Sequence, residues 1–232
     1  MDTRVDKEDG WVLVTPESTA LDCFERDEWK SGVEWAMETD LQNPRILYYM
    51  GHCFEFGLGG ENKDLSKAFY WYKASAEKGD ADGQCSLGCF YEFGIGTAID
   101  FKEAFRWYKA AAENGNTLGQ VLVGLCYKLG KGTAESIEEA FRWYKTAADN
   151  GDAWGLCNLG GCYELGEGAD ENADEAFRLY KMSAENGDAC GQYNLGRCYE
   201  LGHYRPTQAS HHRITPHKVL FVLKNNRYQV AV

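Results

Sequence analysis

The sequence predicts an all-α protein: a right-handed α-α superhelix, or solenoid, of about four to five 36-residue helical-hairpin repeats. Three observations predict it. An aromatic hexapeptide returns at a constant step of 36 residues, a Leu-Gly segment returns at the same step, and each unit carries start and stop signals for two helices.

The hexapeptide runs from Ala104 to Lys109 through Phe105, Arg106, Trp107 and Tyr108. It recurs from Ala140 to Lys145, from Ala68 to Lys73 with Tyr70 in place of Arg, and from Ala176 to Lys181 with Leu179 in place of Trp. The second segment, Leu87 to Gly94, returns around Gly124, Gly160 and Gly196, and around Gly51 with one extra loop residue near Gly60. The Leu-Gly segment is block A of each unit and the hexapeptide lies in block B.

Block B opens at Asp64, Asp100, Ser136 and Asn172, short polar residues able to accept hydrogen bonds from the first helical turn. Glu103, Glu139 and Glu175 follow three places on, as the reciprocal half of a capping box. Gly79, Gly115, Gly151 and Gly187 close the block, and Asp80, Asn116, Asp152 and Asp188 follow at once to cap the next helix. One helix stops and another starts within two residues, which dictates an antiparallel hairpin.

At 100° per residue, block A places Gly83, Leu87, Phe90 and Tyr91 on one face and Asp82, Cys85, Cys89 and Glu92 opposite. The first is the packing face. Gly88 and its repeat mates lie beside it, where the absent side chain admits a neighbouring helix, although a mid-helix glycine costs roughly 1 kcal/mol relative to alanine. In block B the Phe, Trp, Tyr and Ala positions form a broad apolar sector and leave Arg106, Lys109 and Glu113 to water. Two helices alone cannot bury these rings, so the units must stack.

The pattern of Gly83, Leu87, Gly88, Tyr91, Gly94 and Gly96, then Ala104, Trp107, Tyr108, Ala111, Ala112 and Gly115, resembles the Sel-one-like repeat, a relative of the tetratricopeptide repeat. The resemblance covers roughly residues 43–202. Gly83, Gly119, Gly155 and Gly191 stand where that family usually has Ala, and Thr97 where it usually has Val. The resemblance implies an adaptor or scaffold that assembles protein complexes.

Around the array, residues 1–20 form an N-terminal extension expected to be poorly ordered, in which Trp11 to Val14 could serve as a docking strand or a partner-binding motif. Residues 21–42 suit the block B helix of a degenerate half repeat, with Trp29, Val33, Trp35 and Ala36 on its apolar face. Residues 203–232 break the pattern. They hold Arg205, Arg213, Lys218, Lys224 and Arg227, four of the five histidines and no acidic residue, and are expected to be mostly disordered or a short hairpin.

Composition narrows the function. The chain has 232 residues, 44% of them hydrophobic, and a formal charge of −12, which opposes binding to a phosphate backbone. No apolar run reaches the length of a membrane span, and the start lacks the pattern of an export signal. With nine cysteines, an odd number, this favours reduced thiols and a cytoplasmic location. Expected partners are therefore a protein or peptide, with no nucleic acid and no membrane insertion.

Candidate chemistry is sparse. Cys53, Cys126, Cys162 and Cys198 share a position on the packing face, where a thiol is a small apolar filler. Cys85, Cys89, Cys157 and Cys190 fall on the opposite face, and the 85/89 spacing offers only two of the four ligands zinc requires. His52 is expected on the surface without a nucleophile beside it. His203, His211, His212 and His217 are irregularly spaced, and the Gly-x-Gly segments follow helices rather than strands, unlike phosphate loops. No cofactor, no metal and no enzymatic activity are expected.

The outer face of block A is the candidate binding surface, the alternative being that block A helices of adjacent repeats consume these side chains in their own packing. In tetratricopeptide-like stacks such helices line the concave side, where Leu118, Val121, Leu125, Trp154, Cys157, Cys190 and Tyr193 would form an apolar strip rimmed by Lys128, Glu164, Arg197 and Glu200. Trp154 and Tyr193 are its expected anchors. The alternatives are a hydrolase or antibiotic-binding protein, as proposed for some exported relatives, and a regulatory repeat module of a larger enzyme.

Overall fold

A computed structural model describes residues 3–5, 12–14, 29–38 and 42–200. The basic segment 203–232, with its histidines, lies outside the described residues, as does Trp11. Two strands, β1 (Thr3–Val5) and β2 (Val12–Val14), pair antiparallel with Thr3 opposite Val14. Ten helices follow among the described residues: α1 (Trp29–Glu38), α2 (Pro44–Phe56), α3 (Leu65–Glu77), α4 (Ala81–Phe93), α5 (Phe101–Glu113), α6 (Thr117–Leu129), α7 (Ile137–Asp149), α8 (Ala153–Leu165), α9 (Ala173–Glu185) and α10 (Ala189–Glu200). Even-numbered helices from α2 carry block A, and odd-numbered helices from α3 carry block B.

The helices start and stop where local chemistry directs. Asp64 and Asp100 accept hydrogen bonds from the second and third amides beyond them, while Asn172 accepts from Glu175 N. Asp80, Asn116, Asp152 and Asp188 each receive the amide three residues on, at 2.6–2.7 Å. Block B ends at glycines with φ between 82° and 90°, a left-handed conformation that side chains disfavour. The expected reciprocal half of the capping box does not form at Asp100 and Asn172. Their backbone amides donate instead to the carbonyls of Tyr91 and Tyr163, tying each block B start to the end of its own block A helix. Glu103 and Glu175 turn outward to Arg106 and Arg178.

The chain divides into two compact bodies, residues 1–136 and 137–232. In the first, α2 packs on α3 and α4 on α5 through a glycine and a tyrosine. A Cβ on Gly51 would lie 2.6 Å from the Tyr72 ring, and one on Gly88 would lie 2.5 Å from the Tyr108 ring. Gly88 thus admits one particular side chain of its own hairpin. Both rings are fully buried, and each hydroxyl donates to a block A carboxylate: Tyr72 to Glu55 at 2.6 Å, Tyr108 to Glu92 at 2.8 Å. Burying such a ring stabilises the fold by roughly 2–3 kcal/mol, more than the ~1 kcal/mol helix penalty of the glycine opposite.

Successive units meet through a second aromatic pair. Phe69 of α3 meets Tyr91 of α4 edge-on, with ring centroids 5.4 Å apart, and Phe105 of α5 meets Tyr127 of α6 at 5.2 Å. Gly96 approaches the Leu65 carbonyl and Gly132 that of Phe101, so the second glycine of each Gly-x-Gly segment also seats its loop against the preceding unit. Helix α1 contributes Val33 and Ala36 to a core with Ile46, Met50 and Cys53 of α2. The second body repeats the scheme. Tyr180 packs on Gly160 and donates to Glu164 at 2.7 Å, while Phe141 meets Tyr163 and Phe177 meets Tyr199 edge-on.

Glycine at the first small position of block A has a local cause. A Cβ at Gly83 or Gly191 would collide with Ser75 or Ser183 of the preceding block B helix. These serines are fully buried and donate to the carbonyls of Pro44 and Ala153 at 2.8 and 2.7 Å. At Gly155 the facing residue is Ala147, 2.6 Å from the hypothetical Cβ.

Candidate functional site: the outer faces of the block A helices

The outer face of block A is set by position within the repeat. One position holds Arg45, Asp82, Leu118, Trp154 and Cys190 in turn; the next turn holds Tyr48, Cys85, Val121, Cys157 and Tyr193. Leu118, Leu125 and Lys128 belong to the first body. Leu118 is 44% exposed, and the other two are partly exposed. In the second body Trp154 is partly buried, Tyr193 is 63% exposed and Glu200 is exposed.

Four residues of the expected strip and rim are otherwise engaged. Val121 is completely buried and Cys157 nearly so; the helix that carries Cys157, α8, touches α10, the block A helix of the next unit. The amide of Asn194 on α10 reaches Cys157 Sγ at 3.4 Å. Glu164, expected on the rim, accepts the Tyr180 hydroxyl and pairs with Arg197, so these two charges are joined to each other. Cys85 is likewise buried rather than outward-facing, whereas Cys190 is exposed. The packing-face thiols Cys53, Cys126, Cys162 and Cys198 are buried as expected, and burial pushes Cys53 and Cys126 up to about 12.

Helix α2 carries a patch missing from the candidate strip. Arg45 lies 4.9 Å from the centroid of the Tyr48 ring and 5.3 Å from that of Tyr49, and it pairs with Asp82 and, at 3.5 Å, with Asp80. Burial opposes the Arg45 charge, but the hydrogen bond and charge of Asp82 prevail and raise its pKa. Burial and then the Asp82 charge push Tyr48 up to about 12. His52 is half-buried rather than a surface residue: its ring stacks on Phe56 at 4.7 Å, and burial lowers its pKa. The spacing of Arg45, Tyr48, His52 and Phe56 on one helical face was the available signal.

A second set of exposed side chains stands at the ends of the block A helices. Phe56, Phe93 and Leu129 in the first body, and Leu165 in the second, are each more than half exposed. Their fixed place just before the helix-ending glycine made them legible as a repeat, although not as surface.

Comparison with known proteins agrees with this architecture. Five Sel1 repeats are matched, at residues 46–80, 81–116, 117–152, 155–188 and 191–210. A Sel1 repeat protein from Oxalobacter formigenes is similar in structure with a TM-score of 0.74 and 30% identity, over 90% of this chain and 83% of its own. The protective antigen c5321 of uropathogenic Escherichia coli strains, which displays the same repeat fold, gives 0.73 and 25% identity over 90% of this chain and 45% of its own. No match was found among curated proteins. On five matched units spanning most of the helical array, the chain belongs to the Sel1-repeat family.

Proposed function

We propose that this protein is an interaction scaffold that binds a protein or peptide on the outer faces of its block A helices. Sel1-repeat proteins are generally scaffolds of this kind and typically not enzymes. The observation that carries the reading is the division of labour along block A. Rings that complete the fold are buried at every unit, while Leu118 and Tyr193 stay exposed and the residues around them change from unit to unit. An apolar side chain held in water on a rigid helix contributes most when a partner covers it, and tyrosine is a frequent anchor at such contacts.

The net charge of −12 disfavours nucleic acid as the partner, and no helix among the described residues is long and apolar enough to cross a membrane. A reducing cytoplasm suits the many thiols. The test is affinity capture from cells followed by mass spectrometry, with Leu118→Ser and Tyr193→Ala compared separately against the unmodified chain. Loss of the same partner in either variant, with helicity and melting unchanged, supports the reading. Undiminished capture in both removes these faces from consideration.

A further inference from the structure

We propose that Cys157, Asp188 and Cys190 form a binding site for a thiophilic divalent cation of the zinc class. One ligand atom from each lies within 4.8 Å of the others, which brings two sulfurs and a carboxylate oxygen from α8 and the start of α10 to one point. Tetrahedral zinc binds thiolates at about 2.3 Å and carboxylates at about 2.0–2.2 Å, so modest side-chain rotation closes the shell. Three protein ligands leave a fourth coordination position for water or a further donor.

The surroundings fit this chemistry. The Asn194 side-chain amide donates to both sulfurs at 3.4 Å, and its oxygen accepts from Arg197 at 3.2 Å, which fixes the nitrogen toward the thiols. Donors of this kind orient and tune thiolate ligands. Asp188 is held in place because its Oδ2 caps Gly191 N at 2.7 Å and lies 3.1 Å from Ser183 Oγ. A carboxylate has lone pairs enough to cap a helix and hold a cation together. Cys157 is buried and Cys190 exposed, so a cation reaches the site from the Cys190 side.

The arrangement occurs once among the described residues. At the position of Cys190 the other block A helices carry Arg45, Asp82, Leu118 and Trp154. The two cysteines are 33 residues apart rather than 36, because the contact joins one helix to a point nearly one turn earlier on the next.

The reduced full-length chain is titrated with Co2+ and Zn2+ alone. One equivalent of Co2+ is expected to give thiolate-to-cobalt absorption, displaced by Zn2+. Cys190→Ser, at an exposed position, is expected to weaken binding by about 100-fold or more. Asp188→Asn keeps a helix cap, as Asn116 does in its own unit, and is expected to weaken binding comparably. Asn194→Ala is expected to cost about 10- to 100-fold, the range for outer-shell partners. Cys85→Ala/Cys89→Ala controls for the other thiol pair and leaves absorption unchanged. The proposal fails if reduced protein takes up neither metal, if Cys190→Ser binds unaltered while remaining folded, or if the control variant loses the signal.

Discussion

The seam inside each hairpin and the outer face of block A lie on the same helices and obey opposite rules. At the seam a glycine faces a tyrosine whose hydroxyl meets a glutamate, as at Gly51, Gly88 and Gly160. On the outer face one position runs through Arg45, Asp82, Leu118, Trp154 and Cys190. The difference teaches that the fold needs only the seam and the contacts between repeats, leaving the remaining surface of these helices open to specialisation.

Two adjacent glycines of α8 expose the contrast most directly. A Cβ on Gly160 would lie 2.8 Å from the buried Tyr180 ring, whereas one on Gly161 would meet only the Tyr180 hydroxyl, at 3.7 Å. Gly160→Ala is expected to destabilise by about 2 kcal/mol, since overpacking outweighs the gain in helix propensity. In a Tyr180→Ala background the same change should become neutral or stabilising. Urea melts of the four chains give the coupling directly, and an unaltered penalty in that background would rule out the ring as its cause.

Removing only the seam hydroxyl has the next largest effect. Tyr180→Phe leaves Glu164 with Arg197 but without its 2.7 Å donor, and a hydrogen bond to a charged group contributes about 1.5 kcal/mol or more. The same melts read this loss. Gly161→Ala, one residue away from the seam, should instead raise stability by about 1 kcal/mol, because it removes backbone freedom without meeting a clash. Opposite signs at neighbouring glycines would confirm the boundary between seam and face; equal signs would erase it.

Most of the fold was legible because its signals are local. The caps at Asp64, Asp100, Asp80 and Asp152 act over two or three residues, and the 36-residue step multiplies each signal. The capping box misled because the Asp100 amide had a carbonyl available from Tyr91 nine residues earlier, a partner only the closed hairpin supplies. The binding strip was less legible still. Helical projection places Val121 and Cys157 outside, yet both are buried; for Cys157 the cause is that α10 packs against α8, a contact that projection of a single helix does not contain. Cys190 meets Cys157 out of step with the repeat, so no periodic comparison would have paired them.

Recurrence alone does not measure energetic weight, and the outward ion pairs of block B separate the two. Arg178 lies 2.6 Å from Glu175, and equivalent pairs join Arg106 to Glu103 and Arg142 to Glu139, yet Arg178 is 56% exposed. A helical pair of this kind contributes about 0.3–0.5 kcal/mol and is screened by salt. Arg178→Gln should therefore cost several-fold less than Tyr180→Phe, and the deficit should shrink in 1 M salt, where the Debye length is about 3 Å. The hydrogen bond and charge of Arg178 lower the Glu175 pKa below its unfolded value. The contribution is consequently complete above the unfolded pKa, near 4.5, and disappears as pH falls through the folded one. Melts at neutral and strongly acidic pH should differ between the two chains only at the former. A deficit that persists in acid would mean that Arg178 acts through packing of its aliphatic stem rather than through its charge.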